Sequence, residues 1–355
     1  MGTLVGIACC VGNKRAVATA PAESEPTGIM TFADPAMQAL CAKTWGDGTN
    51  ITYEQARAVT EIPKNWAKDN TAITSFNEIK YFKNCTSIGS SAFEQCSSMA
   101  LTSLELPQCT SIGKSAFYGC KSMALTSLEL PQCTTIGNYA FYGCSSMALT
   151  SLELPQCTSI GEAAFYRCKS MALTSLELPQ CTSIGSSAFN GCSSMALTSL
   201  ELPQCTSIGK NAFEGCPLLS EITFQNVTTV GSRAFAGSTI SKIKLPSVET
   251  MSAVSNYDGI FSYCTNLVLV DLGENCSSIG NESFGRWVGT AGKNITLICR
   301  ASTPPTLGGA IINKAWVKAT IGEIYVPDES VEAYKTATNW SAYANIILPL
   351  SQFNG

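Results

Sequence analysis

Apolar and polar positions along this chain follow two rhythms in turn. Leu125, Leu128 and Leu130 are apolar, and Ser127 and Glu129 alternate with them. That alternation predicts a short strand with one buried face and one wet face. Pro131 has no amide to donate and helps to end the strand. In the stretch SIGKSAFYGC, Gly113 permits a turn. Ala116, Phe117 and Cys120 then lie three or four apart, which predicts one side of a short helical turn. The full text CTSIGKSAFYGCKSMALTSLELPQ starts at Cys109 and again at Cys85, Cys133, Cys157 and Cys181. A sixth copy starts at Cys205 and soon diverges, so the period is 24 residues. One such unit cannot bury its apolar face alone, and stacking on its neighbours is what buries it. The prediction is a solenoid whose coils each contain a strand, a corner, a helical turn and a return. Its stacked strands form a parallel sheet at a spacing of about 4.8 Å.

The flanks differ from the repeats. Residues 1–28 contain two short apolar segments around Gly12, Asn13 and Lys14, a hairpin pattern, followed by the linker-like APAESEPTG. No Lys or Arg precedes the apolar run, so it makes a poor signal peptide. It reads as a pro-segment, a lipoprotein start at Cys9 or a virion anchor. Residues 29–84 predict a helical cap. Asp34 and Pro35 open a helix through Ala42, and Thr52 with Gln55 forms the capping box of another. Residues 85–290 hold the repeats, which drift in length after Val227 and gain an insertion around SNYDGIFSY. Residues 291–355 predict a closing cap of strands Thr296–Cys299 and Glu323–Val326 and helix Glu329–Thr336. Without such a cap the solenoid would end in a sticky sheet edge.

The inner text of each repeat fits the leucine-rich template L-x-x-L-x-L-x-x-N/C. It also resembles the BspA-like leucine-rich repeat family, through Leu101, Leu104, Leu106, Pro107, Ser111, Ile112, Gly113, Ala116, Phe117 and Cys120 and their downstream counterparts. The flanks from TFADPAMQALCAKTW to ITSFNEIKYFKN and over IYVPDESVEAYKTATNWSAYANIILPL are similar to that family's caps, so the resemblance spans about residues 29–355. It implies an α/β solenoid: a right-handed stack with parallel strands, a helical N-terminal cap and a small C-terminal cap. It implies surface adhesion or binding in anaerobic bacteria and some parasitic protists, and no catalysis. Family members often carry a calcium loop before the second helix of the cap. Here Asp47 and Gly48 remain, other ligands are missing, and Gln55 stands where the bidentate Glu belongs. Calcium needs six or more oxygens, so a plain structural turn is expected.

The 355 residues carry a net charge of −4, which argues against nucleic acid as a partner. No apolar run is long enough to span a membrane as a helix. Histidine is absent, which removes the commonest general base and metal ligand. With no nucleophile–base pair, phosphate loop or metal spacing, neither an enzyme nor a cofactor is expected. Of the 18 cysteines, twelve fall in two columns, headed by Cys85 and Cys96. Val227 stands in the first column and Ser238 in the second, so both positions read as small and buried, not as ligands. Reduced structural thiols are expected; disulfides between coils and metal binding are the alternatives.

Two surface features remain. On the wet strand face, Ser103/Glu105, Ser127/Glu129, Ser151/Glu153, Ser175/Glu177 and Ser199/Glu201 form two columns, the expected primary binding site. At strand spacing, neighbouring carboxylates repel by about 0.9 kcal/mol in bulk water. Several buried side chains per coil, at about 1.5–3 kcal/mol each, outweigh that cost. The second feature is the turn where the copies differ. Tyr118, Tyr139, Tyr142, Tyr166 and Arg167 lie there and form the alternative binding face. The expected function is a non-enzymatic scaffold that binds a protein or glycan on a cell surface or in the extracellular matrix. The alternative is a phage or virion fibre part with residues 1–28 as its anchor. The sequence leaves the oligomeric state open.

Overall fold

The computed structural model describes residues 25–218, 220–252, 259–285, 288–289, 294–311 and 320–354. Most of the N-terminal segment and part of the insertion near residue 255 therefore lie outside the described residues. The chain winds as a parallel solenoid, and each coil contributes two strands. The first is the Ser-Leu-Glu strand, such as Ser127–Glu129, and the second is a dipeptide such as Thr135–Ile136. The dipeptides form one unbroken ladder of 11 parallel strands, from Glu61–Ile62 to Thr306–Leu307.

The turn after each dipeptide is not helical, which corrects the sequence expectation. Ser115 and Gly119 both have left-handed backbone, with φ of 56° and 71°. A left-handed residue every fourth position cannot sit in a right-handed helix. The amides divide their work instead. Ala116, Tyr118 and Cys120 donate back within the turn, at 3.1–3.2 Å, to the carbonyls of Gly113, Ser115 and Phe117. Ser115, Phe117 and Gly119 donate across to Asn138, Ala140 and Tyr142 of the next coil at 2.7–2.8 Å. Coil-to-coil bonding thus runs through the turn as well as the sheets. The inward set predicted for a helix survives: Ala116, Phe117 and Cys120 are fully buried.

The core is built of columns. Phe93, Phe117, Phe141, Phe165, Phe189 and Phe213 stack in sequence with centroids 5.1–5.4 Å apart. Beside them Cys120, Cys144, Cys168 and Cys192 donate to the Phe carbonyl one coil back, at 3.0–3.2 Å. That carbonyl is buried, and the thiol satisfies it. All 16 described cysteines are free and buried. Burial pushes the Cys133 and Cys109 thiols up to about 11 and about 12. Val227 and Ser238 occupy buried places in the two columns, so the position demands small size and not sulfur chemistry.

Two ends close the stack. Helix α1 (Pro35–Trp45) is capped by Asp34, and α2 (Tyr53–Ala58) by the reciprocal Thr52 and Gln55 bonds. Asp34 also accepts from Thr74 Oγ1 at 2.7 Å and Ser75 N at 3.1 Å, which ties the helix start to the first coil. At the other end, Asn294–Cys299, Thr320–Val326 and Ile347–Pro349 extend the strand sheet. Helix α3 (Val331–Thr336) packs Tyr334 edge-on against Trp340.

Candidate binding faces

The strand face holds the ten Ser and Glu positions in register but not in one sheet. Glu105 pairs with Glu129, and Glu153 with Glu177 and then Glu201. Between Ser127–Glu129 and Ser151–Glu153 the ladder stops, and it stops again after Ser199–Glu201. Elsewhere Thr126, Thr174 and Thr198 each donate a backbone bond to the threonine one coil back, at 2.8–2.9 Å. Among the described hydrogen bonds, Thr150 N has no such lateral bond to Thr126, nor Leu130 N to Glu153. An open cleft of about 470 Å³ lies at this first break, lined by Ser127, Glu129, Ser151 and Glu153 with Leu128 and Pro131. A second cleft, of about 250 Å³, lies at Leu200, Glu201, Thr223 and Phe224. The continuous sheet expected along this face is therefore corrected to blocks of two, three and six strands. Four of the predicted site residues share the first cleft. Ser103 and Glu105 lie to one side of it, and Ser175, Glu177, Ser199 and Glu201 to the other.

The turn face brings the alternative residues together. Tyr118, Tyr142 and Tyr166 form one stack, with centroids 4.6 and 4.7 Å apart. Tyr139 leans on Tyr142 at 6.1 Å, and its hydroxyl donates to Glu162 at 2.6 Å. The Arg167 guanidinium sits over the Tyr166 ring, 5.2 Å from its centre. Sequence reasoning missed how far this column is matched along its length. Lys68 pairs with Glu94 at 3.1 Å before the tyrosines, and Asn190 bonds Glu214 at 3.0 Å after them. Reading one residue per 24 from Glu94 down the chain, as Glu-Tyr-Tyr-Tyr-Asn-Glu, was the available signal, and Lys68 joins it because the first coil is 26 residues long. A second missed signal was the glycine at positions 119, 143, 191, 215 and 237, all left-handed. Arg167 occupies that same column with φ 56°.

The remaining chemistry is structural. Asp47 accepts from the amides of Thr49 and Asn50 at 2.8 and 2.6 Å, so its carboxylate holds its own turn. Tyr334 donates from its hydroxyl to the Ala301 carbonyl at 2.8 Å and to Cys299 Sγ at 3.2 Å inside the C-terminal cap. Among the described residues, no group of His, Cys, Asp and Glu gathers in a metal-holding arrangement. No described helix is long and apolar enough to cross a membrane.

The chain belongs to the BspA type leucine rich repeat region family, whose model matches residues 60–196 and 182–296 in six copies. This is a leucine-rich repeat family, generally non-enzymatic and suited to protein binding. No curated protein matches the chain in sequence. Solved structures similar to it include three leucine-rich repeat proteins. One is a leucine rich repeat protein of T. pallidum, at 23% identity over 60% of this chain and 67% of that one, TM-score 0.29. Another is a leucine rich cell surface protein of Faecalibacterium prausnitzii, at 18% identity over 74% and 83%, TM-score 0.36. The third is a leucine-rich repeat protein of Bacteroides ovatus, at 17% identity over 78% and 84%, TM-score 0.39.

Proposed function

We propose that this protein is a non-enzymatic adhesion scaffold that holds a basic, extended macromolecule of a cell surface or extracellular matrix along its strand face. The observation that carries this reading is the placement of Ser127, Glu129, Ser151 and Glu153 around one open cleft on a face that repeats the same pair in five successive coils. Identical weak sites at coil spacing suit a ligand with several contacts, because linked contacts add avidity. A cleft walled by two carboxylates favours Lys or Arg side chains, and such contacts weaken as salt rises. The family resemblance supports surface adhesion. The virion reading rests on residues 1–28, which lie mostly outside the described residues, and no feature of the strand face favours it.

The test replaces Glu105, Glu129, Glu153, Glu177 and Glu201 by Gln and measures binding to a panel of matrix proteins and host glycans. The variant is expected to lose about tenfold or more in affinity and to lose the salt dependence. Unchanged binding with a normal melting curve would remove the strand face from the function.

A further inference from the structure

The turns of the three coils between residues 113 and 170 differ in charge from the rest of the chain. They carry Lys114, Lys121, Arg167 and Lys169 against a single acid, Glu162. Glu162 is already engaged by the Tyr139 hydroxyl. The four bases are exposed, on a chain whose net charge is −4. Between them runs the half-buried stack of Tyr118, Tyr142 and Tyr166. The stack is preformed, so its side chains lose little freedom on binding. Alternate backbone amides of these turns are spent on the neighbouring coil, so a ligand would meet side chains here. The side chains are Tyr, Ser, Asn and Gly with one Arg, the composition by which rigid paratopes grip proteins.

Arg167 adds an independent observation. Five equivalent positions are glycine, Asp69, Gln95 and Tyr263 share the column with Arg167, and the backbone is left-handed in every case. A residue with a Cβ is strained in that conformation. The arginine is therefore held against a local cost, and it is aimed over the end of the tyrosine stack.

We propose that Tyr118, Tyr142, Tyr166 and Arg167, flanked by Lys121 and Lys169, form a second binding site that takes an acidic segment of a partner protein. This site is separate from the acidic strand face and opposite to it in charge preference.

The experiment uses the full chain and poly-L-glutamate as the probe, at low and high salt, with heparin and poly-L-lysine in parallel arms. The wild type is expected to bind poly-L-glutamate at low salt. Replacing the three tyrosines by Ala together with Arg167→Gly should weaken this about tenfold or more. Arg167→Gly alone should weaken it several-fold with an equal or higher Tm, since glycine suits a left-handed site, an outcome that a merely structural role would not produce. The five-Glu→Gln variant should keep poly-L-glutamate binding and lose poly-L-lysine, which separates this site from the strand face. Absence of poly-L-glutamate binding, or binding indifferent to both substitutions, overturns the proposal. Binding of heparin without poly-L-glutamate also overturns it, in favour of an anionic glycan. So does salt-sensitive self-association lost with Arg167→Gly, which would assign the face to a second copy of this chain.

Discussion

The strand face is built differently in the repeated and the diverged halves of the solenoid. In the repeated half each Glu stands opposite another Glu, each strand is three residues long, and the sheet parts at two places. In the diverged half the face carries both signs: Glu221 and Lys242 continue the Ser column, and Thr223, Lys244 and Asp271 continue the Glu column. Glu221 meets Lys242 at 2.8 Å, Lys244 is in register with Asp271, and Arg300 grips Asp271 through two bonds of 2.8 and 2.9 Å. There the four inner strands lengthen to between four and seven residues, and six strands run without a break. Cross-strand pairs of opposite charge stabilise a ladder, and like pairs weaken it. The like-charge contact makes the repeated sheet weak everywhere. The copies are nearly identical, so their sequence does not single out the step from Glu129 to Glu153.

The Phe column runs under both halves and should not share their difference. Phe165 is stacked on Phe141 at 5.2 Å and on Phe189 at 5.3 Å, and Phe235 on Phe261 at 6.0 Å. Either Phe→Ala change is expected to cost about 3–5 kcal/mol, read from the midpoint of denaturant unfolding. A loss confined to the diverged half would mean that the repeated coils are held mainly by their turns and sheets.

The stability of the N-terminal cap depends on pH through Asp34. Burial alone would raise the Asp34 carboxyl, but bonds from Met37, Thr74 and Ser75 outweigh it and hold it down at about 2. A depressed carboxyl contributes stability that is present above its unfolded value near 3.8 and lost as pH falls through about 2. That contribution is about 2 kcal/mol. Asp34→Asn should remove the corresponding step from an acid titration of stability between about pH 4 and pH 2. A titration with the same shape in both proteins would show that the cap does not depend on this charge.

Much of this was legible in the sequence, for one physical reason. A period of 24 fixes which side chains share a column, and burial then follows from composition. The Leu, Ile, Phe and Cys columns were read correctly because small or apolar residues recur there. The turn was misread because Ala116, Phe117 and Cys120 keep helical spacing while Ser115 and Gly119 supply left-handed backbone. Gly recurring at 119, 143 and 191 carried that information, although Gln95, Arg167 and Tyr263 hold the same left-handed place without it. The Tyr stack follows from three successive copies sharing one residue. The breaks in the strand sheet had no signature beyond the Glu column itself, since Thr150 and Thr126 look like every other pair.

A charge swap at the first break is the smallest and most direct test of the comparison. Glu153→Lys places a base between Glu129 and Glu177 and turns two like-charge contacts into opposite ones. At exposed positions each is worth about 0.2–1 kcal/mol, so the variant should gain about 1 kcal/mol at low salt and less at high salt. The amides of Thr150 and Leu130 should gain hydrogen-exchange protection, because an exchanging amide reports whether its lateral bond has formed. Lys242→Glu is the mirror experiment, setting Glu opposite Glu221 in the unbroken sheet. It should lose a similar amount and lower the protection of Ile243 and its neighbours. If Glu153→Lys leaves both amides as labile as before while Lys242→Glu leaves the six-stranded sheet intact, charge does not set where this solenoid opens. The cause must then lie in the geometry of the coils themselves.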